Sequence, residues 1–261
     1  FIGSGFIRQR YSSELLNGSM IADGTLFDLP GGPLKLAFGT QAREEHFSRS
    51  VQTFASGVTP PAPVTPKANR TIVAVFGELA VPMVGPGNAR PGVERLDLSV
   101  AVRHERYSDF GSTTNPKIGL VWEPAQGLQL RGSWGTSFRA PALPEIFDPF
   151  RVSYTQLPTT GGGNLPVITQ RGGNRSLEPE KAKSLTVGFR VQPKAVPGFG
   201  LEASYFQTRF SNRIGQPVTE NILQALTNPI YAPYVTLIDP AHNAADLARV
   251  RELLAVPGSS V

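Results

Sequence analysis

Hydrophobic and polar residues alternate singly over long stretches of this chain. In ERLDLSVAVRHERYSDF (94–110), Leu96, Leu98, Val100 and Val102 fall on one parity, and Asp97, Ser99, Ala101, Arg103 and Glu105 on the other. A period of two sends alternate side chains to opposite faces of a strand. NPKIGLVWEP (115–124) sets Ile118, Leu120 and Trp122 against Lys117, Gly119, Val121 and Glu123. GLQLRGSWG (127–135) sets Leu128, Leu130 and Trp134 against Gln129, Arg131 and Ser133, and KSLTVGFRVQ (183–192) sets Leu185, Val187, Phe189 and Val191 against Ser184, Thr186 and Arg190. Residues 34–44 and 200–210 alternate likewise. Residues 71–81 join them if Glu78 takes the polar side, leaving Val73, Val75, Leu79 and Val81 on the other. Seven strands are predicted, with an eighth before the LPGGP turn at 29–33. No helix-period segment separates them, so hairpins should join an antiparallel sheet. One short helix is expected in 242–255, with Asn243 as N-cap, Asp246 three residues on, and Leu247, Val250, Leu253 and Leu254 along one side.

The connections differ in kind. Those at 30–33, 84–93, 124–127 and 193–200 are short, whereas 49–69, 139–180 and 213–261 are long and rich in Pro, Gly, Asn and Ser. In chain order the two kinds alternate, with 109–115 the one brief member of the long set. Up-and-down strands place alternate connections at opposite ends, so one end is trimmed and the other carries large loops. Outer-membrane barrels have that asymmetry, with short periplasmic turns and long extracellular loops. A soluble β-sandwich also alternates, since either face could be the core. Its loops seldom exceed about 15 residues without internal structure, and 139–180 is far longer.

Composition narrows the class. Gly 27 and Pro 24 in 261 residues are roughly a fifth of the chain, against a usual ~12%. Charged residues are only 17%, which argues against disorder. No apolar run reaches the ~20 residues of a transmembrane helix, which leaves spanning strands open. There is no cysteine, so no disulfide scaffold, thiolate metal site or cysteine nucleophile. The net charge of +5 is scattered, without a basic run, and no nucleic-acid partner is expected. No signal peptide is visible at Phe1, and both ends read as internal to a longer protein.

RGSWGTSFRAPALPEIF (131–147) resembles the strand-and-loop motif of TonB-dependent outer-membrane receptors. The text around it agrees. Residues 103–141 resemble the family's mid-barrel block, GGNRSLEPEKAKSLTVGFRVQP (172–193) the segment after its large loop, and 200–215 the next strand. Residues 26–47 and 71–83 resemble the preceding hairpins. The resemblance implies a barrel of about 22 strands around a plug, with transport energised through the TonB complex acting on that plug. On this reading 1–261 is an internal part of the barrel, about eight strands, without plug or C-terminal strands. Expected partners are outer-membrane lipid, a small-molecule or metal-chelate ligand, and TonB through the missing plug. The expected location is the outer membrane of a Gram-negative bacterium, and the cargo class is a ferric siderophore, a carbohydrate or cobalamin. The alternatives are a small structural or adhesion barrel and a soluble carbohydrate-binding β-sandwich.

Within that resemblance, Phe138, Arg139, Ala140 and Pro141, with Leu177, Pro179 and Glu180, are structural motif residues. Phe138 and Arg139 are expected to anchor the turn into the large loop. Candidate ligand contacts are Phe150, Arg151, Tyr154, Arg171, Tyr231 and Tyr234, because exposed aromatics and Arg suit sugars or anionic chelates. Leu96, Leu98, Val100, Ile118, Leu120, Trp122, Leu185, Val187 and Phe189 should face lipid. Lys117, Glu123, Arg131 and Arg190 should line the lumen and pair with plug residues or water. No enzymatic activity and no cofactor are expected. His46, His104 and His242 are far apart in sequence and no catalytic constellation appears. The absence of a histidine from 142–173 counts against haem. DFG at 109–111 lacks the other kinase motifs and reads as a turn.

Overall fold

The computed structural model describes residues 5–54, 62–63 and 66–255. Ten strands form: β1 (Phe6–Leu29), β2 (Gly32–Phe54), β3 (Lys67–Val84), β4 (Arg95–Tyr107), β5 (Gly111–Ala125), β6 (Leu128–Arg139), β7 (Arg151–Pro158), β8 (Asn164–Arg171), β9 (Glu180–Val191) and β10 (Leu201–Ser211). Eight of them make one antiparallel sheet in the order β1-β2-β3-β4-β5-β6-β9-β10. Every neighbour is therefore the next strand along the chain, once the β7–β8 hairpin is set aside. β1 and β10 are its edges, so the described sheet is an open wall and not a closed small barrel.

Short and long connections alternate between the two ends. Gly127 shows why the short end stays tight. It closes the β5–β6 turn at φ +84°, and a Cβ there would meet the Gln192 carbonyl at 2.4 Å. Glycine alone gives both the left-handed backbone and the close approach.

The ladders define the two faces. One row runs Leu185, Trp134, Ile118, Val100, Leu79, Leu36 across six strands to Gly24 on β1. This face is apolar, yet Val100, Ile118, Leu120 and Trp122 are 36% to 44% exposed, and Leu185 and Val187 are exposed as well. Leu96, Leu98 and Phe189 share it, half-buried among their neighbours. No second sheet packs on it, since the other sheet is the β7–β8 pair within a loop. The soluble sandwich, which requires these residues to be buried against a second sheet, is not the arrangement of the described residues.

The edge of the apolar face gives the tilt of the wall. Toward the long-loop end its last apolar residue on β9 is Leu185, followed by Lys183. On β1 the corresponding residue is Leu16, eight positions beyond Gly24, which lies in Leu185's row. Eight residues rise ~26 Å, and the six intervening spacings span ~29 Å. A level edge therefore requires strands tilted by roughly 40°, the tilt of closed membrane barrels.

Two expectations change. The irregular connection placed at 49–69 shortens, because β2 extends to Phe54 and β3 starts at Lys67. β1 and β2 are 24 and 23 residues long, about 80 Å at ~3.3 Å per residue, against ~30 Å of membrane hydrocarbon. The connection at 139–180 is ordered: it holds α1 (Leu143–Phe147) and the β7–β8 hairpin. The last segment holds α2 (Pro217–Glu220), two 3₁₀ turns and α3 (Ala244–Leu254), which is capped as expected, with Asn243 Oδ1 accepting from the Ala245 and Asp246 amides. None of α3's residues is buried.

Candidate functional site: the polar face and its rim

The opposite face is polar, and its ions pair within the wall. Arg131 donates to Glu202 and, at 2.7 Å, to Ser204. Arg190 lies 3.4 Å from the same Glu202. Glu123 accepts from Gln129 at 2.9 Å and lies 3.5 Å from Arg95. The expected row of Lys117, Glu123, Arg131 and Arg190 does share this face, but three of the four find partners on neighbouring strands. Across its middle runs a floor of small residues, Ala80, Ser99, Gly119, Ser133 and Thr186, one from each of five adjacent strands. It underlies a furrow of about 430 Å³. Gly119 keeps that floor low, since a Cβ there would meet Ser99 Oγ at 2.6 Å.

Toward the long-loop end this face is sealed by arginines that sequence reasoning missed. Arg70 on β3 is 2% exposed. Its guanidinium donates to Asp109 at 2.9 and 2.7 Å and to the Pro141 carbonyl at 2.7 Å. It also lies over the rings of Tyr107 and Phe110, at 5.6 and 5.7 Å. Arg49 on β2, 6% exposed, grips both carboxylate oxygens of Asp148 and stacks on Tyr11 at 5.1 Å. Arg151 holds Asp148 from the other side at 3.0 Å. The start of the large loop, 141–148, is thus clamped onto the wall by two buried charges: Arg49 grips the Asp148 carboxylate, and Arg70, held by Asp109 of the β4–β5 turn, grips the Pro141 carbonyl. A buried Arg is tolerated when its charge is paired in this way, although Arg49 Nε itself finds no partner. Tyr107 completes the seal, donating to Glu105 at 2.7 Å and meeting Phe138 edge-on at 5.7 Å. It lies beyond the apolar band, where burial first and the Glu105 hydrogen bond second push its phenol up, so it stays a neutral donor.

The motif residues form a second tie beside this one. Arg139 donates to Glu180 at 2.7 Å and to Glu145 of α1 at 3.1 and 3.2 Å. Glu145 also accepts from the Ala142 amide at 2.7 Å, and Glu180 from the Ile214 amide at 2.7 Å. The end of β6, the first helix of one loop, the start of β9 and the first residues of the next loop meet in one network. The Arg139 hydrogen bond, then the Ile214 amide, hold the Glu180 carboxyl below its usual range. Ala140 is half-buried and Pro141 fully buried, while Leu177 and Pro179 are half-buried where the loop returns.

The structure separates the candidate ligand contacts. Phe150, Tyr154 and Tyr234 are exposed. Arg171 is exposed and faces Arg151 across the hairpin ladder, but Arg151 is already engaged by Asp148. Tyr231 is 8% exposed, buried in the second 3₁₀ turn, Pro229–Tyr234. Among the described residues no group of acidic or histidine side chains could hold a metal ion.

A tilted antiparallel wall with an exposed apolar face, a polar face of paired ions, and large loops clamped over one end is a segment of an up-and-down membrane β-barrel. Residues 4–251 match the TonB dependent receptor-like, β-barrel family, and the chain belongs to that family, whose members are transport receptors. Among solved structures it is similar to the siderophore receptor PirA from Acinetobacter baumannii, at 15% identity and TM-score 0.55, covering 78% of this chain and 28% of that one. It is also similar to the RagAB peptide transporter, at 14% identity and TM-score 0.50, covering 82% and 26%. The chain thus spans between a quarter and a third of the length of either.

Proposed function

We propose that this chain is an internal part of the barrel of a TonB-energised outer-membrane receptor that takes up a nutrient too large or too scarce to diffuse. The observation that supports this best is the pairing of two faces on one tilted sheet. The apolar face, with Leu96, Leu98, Val100, Ile118, Leu120, Trp122, Leu185, Val187 and Phe189, faces lipid. The polar face lines the lumen against a plug supplied by the rest of the protein. The mechanism is capture and gated passage, with no bond made or broken by these residues. The loops at the clamped end are extracellular. Phe150, Tyr154, Arg171 and Tyr234 are free to stack on or pair with cargo, a chemistry suited to carbohydrates and anionic chelates such as ferric siderophores.

Deleting the gene for the full receptor tests the reading. Growth on the scarce nutrient should fail, and be restored by the wild-type gene only in cells that keep TonB. The protein should fractionate with the outer membrane. Restoration without TonB, or recovery in the soluble fraction, would falsify it.

A further inference from the structure

The apolar face ends on β9 and β10 in an unneutralised cluster of cations. Lys181, Lys183 and Arg209 are all exposed. Lys183 stands directly opposite Arg209 in the ladder, and Lys181 lies one outward position further along β9, opposite Ser211. They continue the row of Leu185 and Val187, whereas Ala182 and Ser184 point the other way, Ser184 Oγ lying 3.1 Å from Thr208 Oγ1. All three therefore sit on the lipid-side face, immediately past its apolar edge. The nearest carboxylates in the chain are engaged elsewhere: Glu178 by Asn212 at 3.0 Å, and Glu180 by Arg139 and the Ile214 amide. Among the described residues no ion pair reaches any of the three. Like charges directly opposite on a ladder destabilise it, and among the described residues nothing offsets them.

We infer that this cluster is a docking surface for phosphorylated lipid headgroups of the outer leaflet. Three features single out that occupant. Charge is complementary: two ammonium groups and a guanidinium face a phosphate-bearing layer. Depth is right, because the cations begin one outward position beyond Leu185, where hydrocarbon gives way to headgroups. Composition is selective, since the residues opposite or beside them on that face, Gln207, Ser211, Thr136 and Phe138, carry no charge. The lipid supplies the countercharge that the described residues lack, and the headgroup fixes the barrel's height in the membrane. This inference rests on the membrane reading above.

The test uses the full receptor in non-ionic detergent, titrated with diphosphoryl lipid A, with bound lipid counted by native mass spectrometry. Each basic residue beside anionic headgroups contributes roughly fivefold. The triple variant K181Q/K183Q/R209Q should therefore lose apparent affinity on the order of a hundredfold. K183E gives Arg209 a cross-strand partner, so it relieves repulsion and spares assembly, yet it should also lose affinity, while K183R should keep it. Equal binding by wild type and the triple variant overturns the inference. Displacement of the lipid by millimolar inorganic phosphate overturns the lipid assignment in favour of a free-anion site. Quenching of Trp134 by brominated phosphatidylcholine, in a variant where it is the one tryptophan, reports the membrane reading alone. Absent quenching overturns both claims, whereas quenching with charge-insensitive lipid A binding overturns only the docking surface.

Discussion

Replacing Arg70 by Met probes the clamp on the large loop most directly. Methionine keeps much of the apolar stem, so the change removes the guanidinium rather than opening a cavity. It leaves Asp109, only 15% exposed at its side chain, without its partner, and the Pro141 carbonyl without its donor. Breaking a buried ion pair from one side costs about 3–5 kcal/mol. The lower end applies here, because Asp109 keeps some contact with water. The orphaned Pro141 carbonyl, which loses a bond from a charged donor, costs ~2 kcal/mol. Asp109 lies in the β4–β5 turn, so the broken pair weighs on that turn, and only the lost Pro141 bond falls on the local opening of 141–148. The amides of Asp148, bonded to the Pro144 carbonyl at 3.0 Å, and Gly173, bonded to the Asp148 carbonyl at 2.8 Å, report it by hydrogen exchange. Their exchange in the full receptor should rise about 30-fold, while wall amides such as those of Val100 and Leu120 stay unchanged. The double variant R70M/D109N no longer strands the Asp109 charge, so it should recover stability at the β4–β5 turn while exchange at Asp148 and Gly173 stays raised. Acceleration of less than tenfold at Asp148 and Gly173 refutes the reasoning, as does an equal rise in the wall.

Three further changes separate the other parts of the structure. Arg139→Ala breaks the tie to Glu180 and Glu145, but Arg139 is itself half in water, so the cost is only ~1 kcal/mol; the receptor should assemble normally and keep its affinity for cargo, and lost affinity with normal assembly counts against an anchoring role. Because the Glu180 carboxyl is held low, its tie is fully present above the ordinary value of 4.5 and is lost as pH falls through the lowered folded value; exchange at the Ile214 amide should quicken on acidification in wild type and be insensitive to pH in E180Q, after correction for intrinsic exchange. Val100→Arg puts a charge on the apolar face and should cost ~2–4 kcal/mol of barrel stability, measured by reversible unfolding in lipid, whereas Ala101→Arg on the other face should cost less than half as much; equal penalties would show that the faces are not solvated differently.

The wall was legible because its apolar residues keep strict parity. Leu96 to Val102 and Leu185 to Val191 allow one register, and a single-residue slip would invert every side chain. The β7–β8 hairpin was hidden for the opposite reason. Its buried residues, Val152 and Leu157, lie on opposite parities of β7, because different neighbours cover the two sides. The Gly161, Gly162 and Gly163 run between its strands was the signal available. β1 was visible only near its turn, since most of its 24 residues are polar or small and alternate weakly. The clamp could not be read locally. Arg70 and Asp109 are 39 positions apart, and Arg49 and Asp148 are 99 apart, so only the sheet order brings them together. One clue existed: Arg70 shares the parity of Ile72 and Ala74, an ion placed in line with core residues.

The overhang of β1 and β2 gives the protein an uneven skyline. Past Leu16, β1 continues for ten residues to Phe6. At a 40° tilt that carries its tip roughly 25 Å above the lipid surface, whereas the link from β4 to β5 is a three-residue turn, 108–110. On the outer-membrane reading proposed above, a bulky visitor from outside the cell would meet the ribbon of β1 and β2 before the turn at Ser108, so pressure from such visitors would fall on the tower and pressure from cargo on the lower ground beside it.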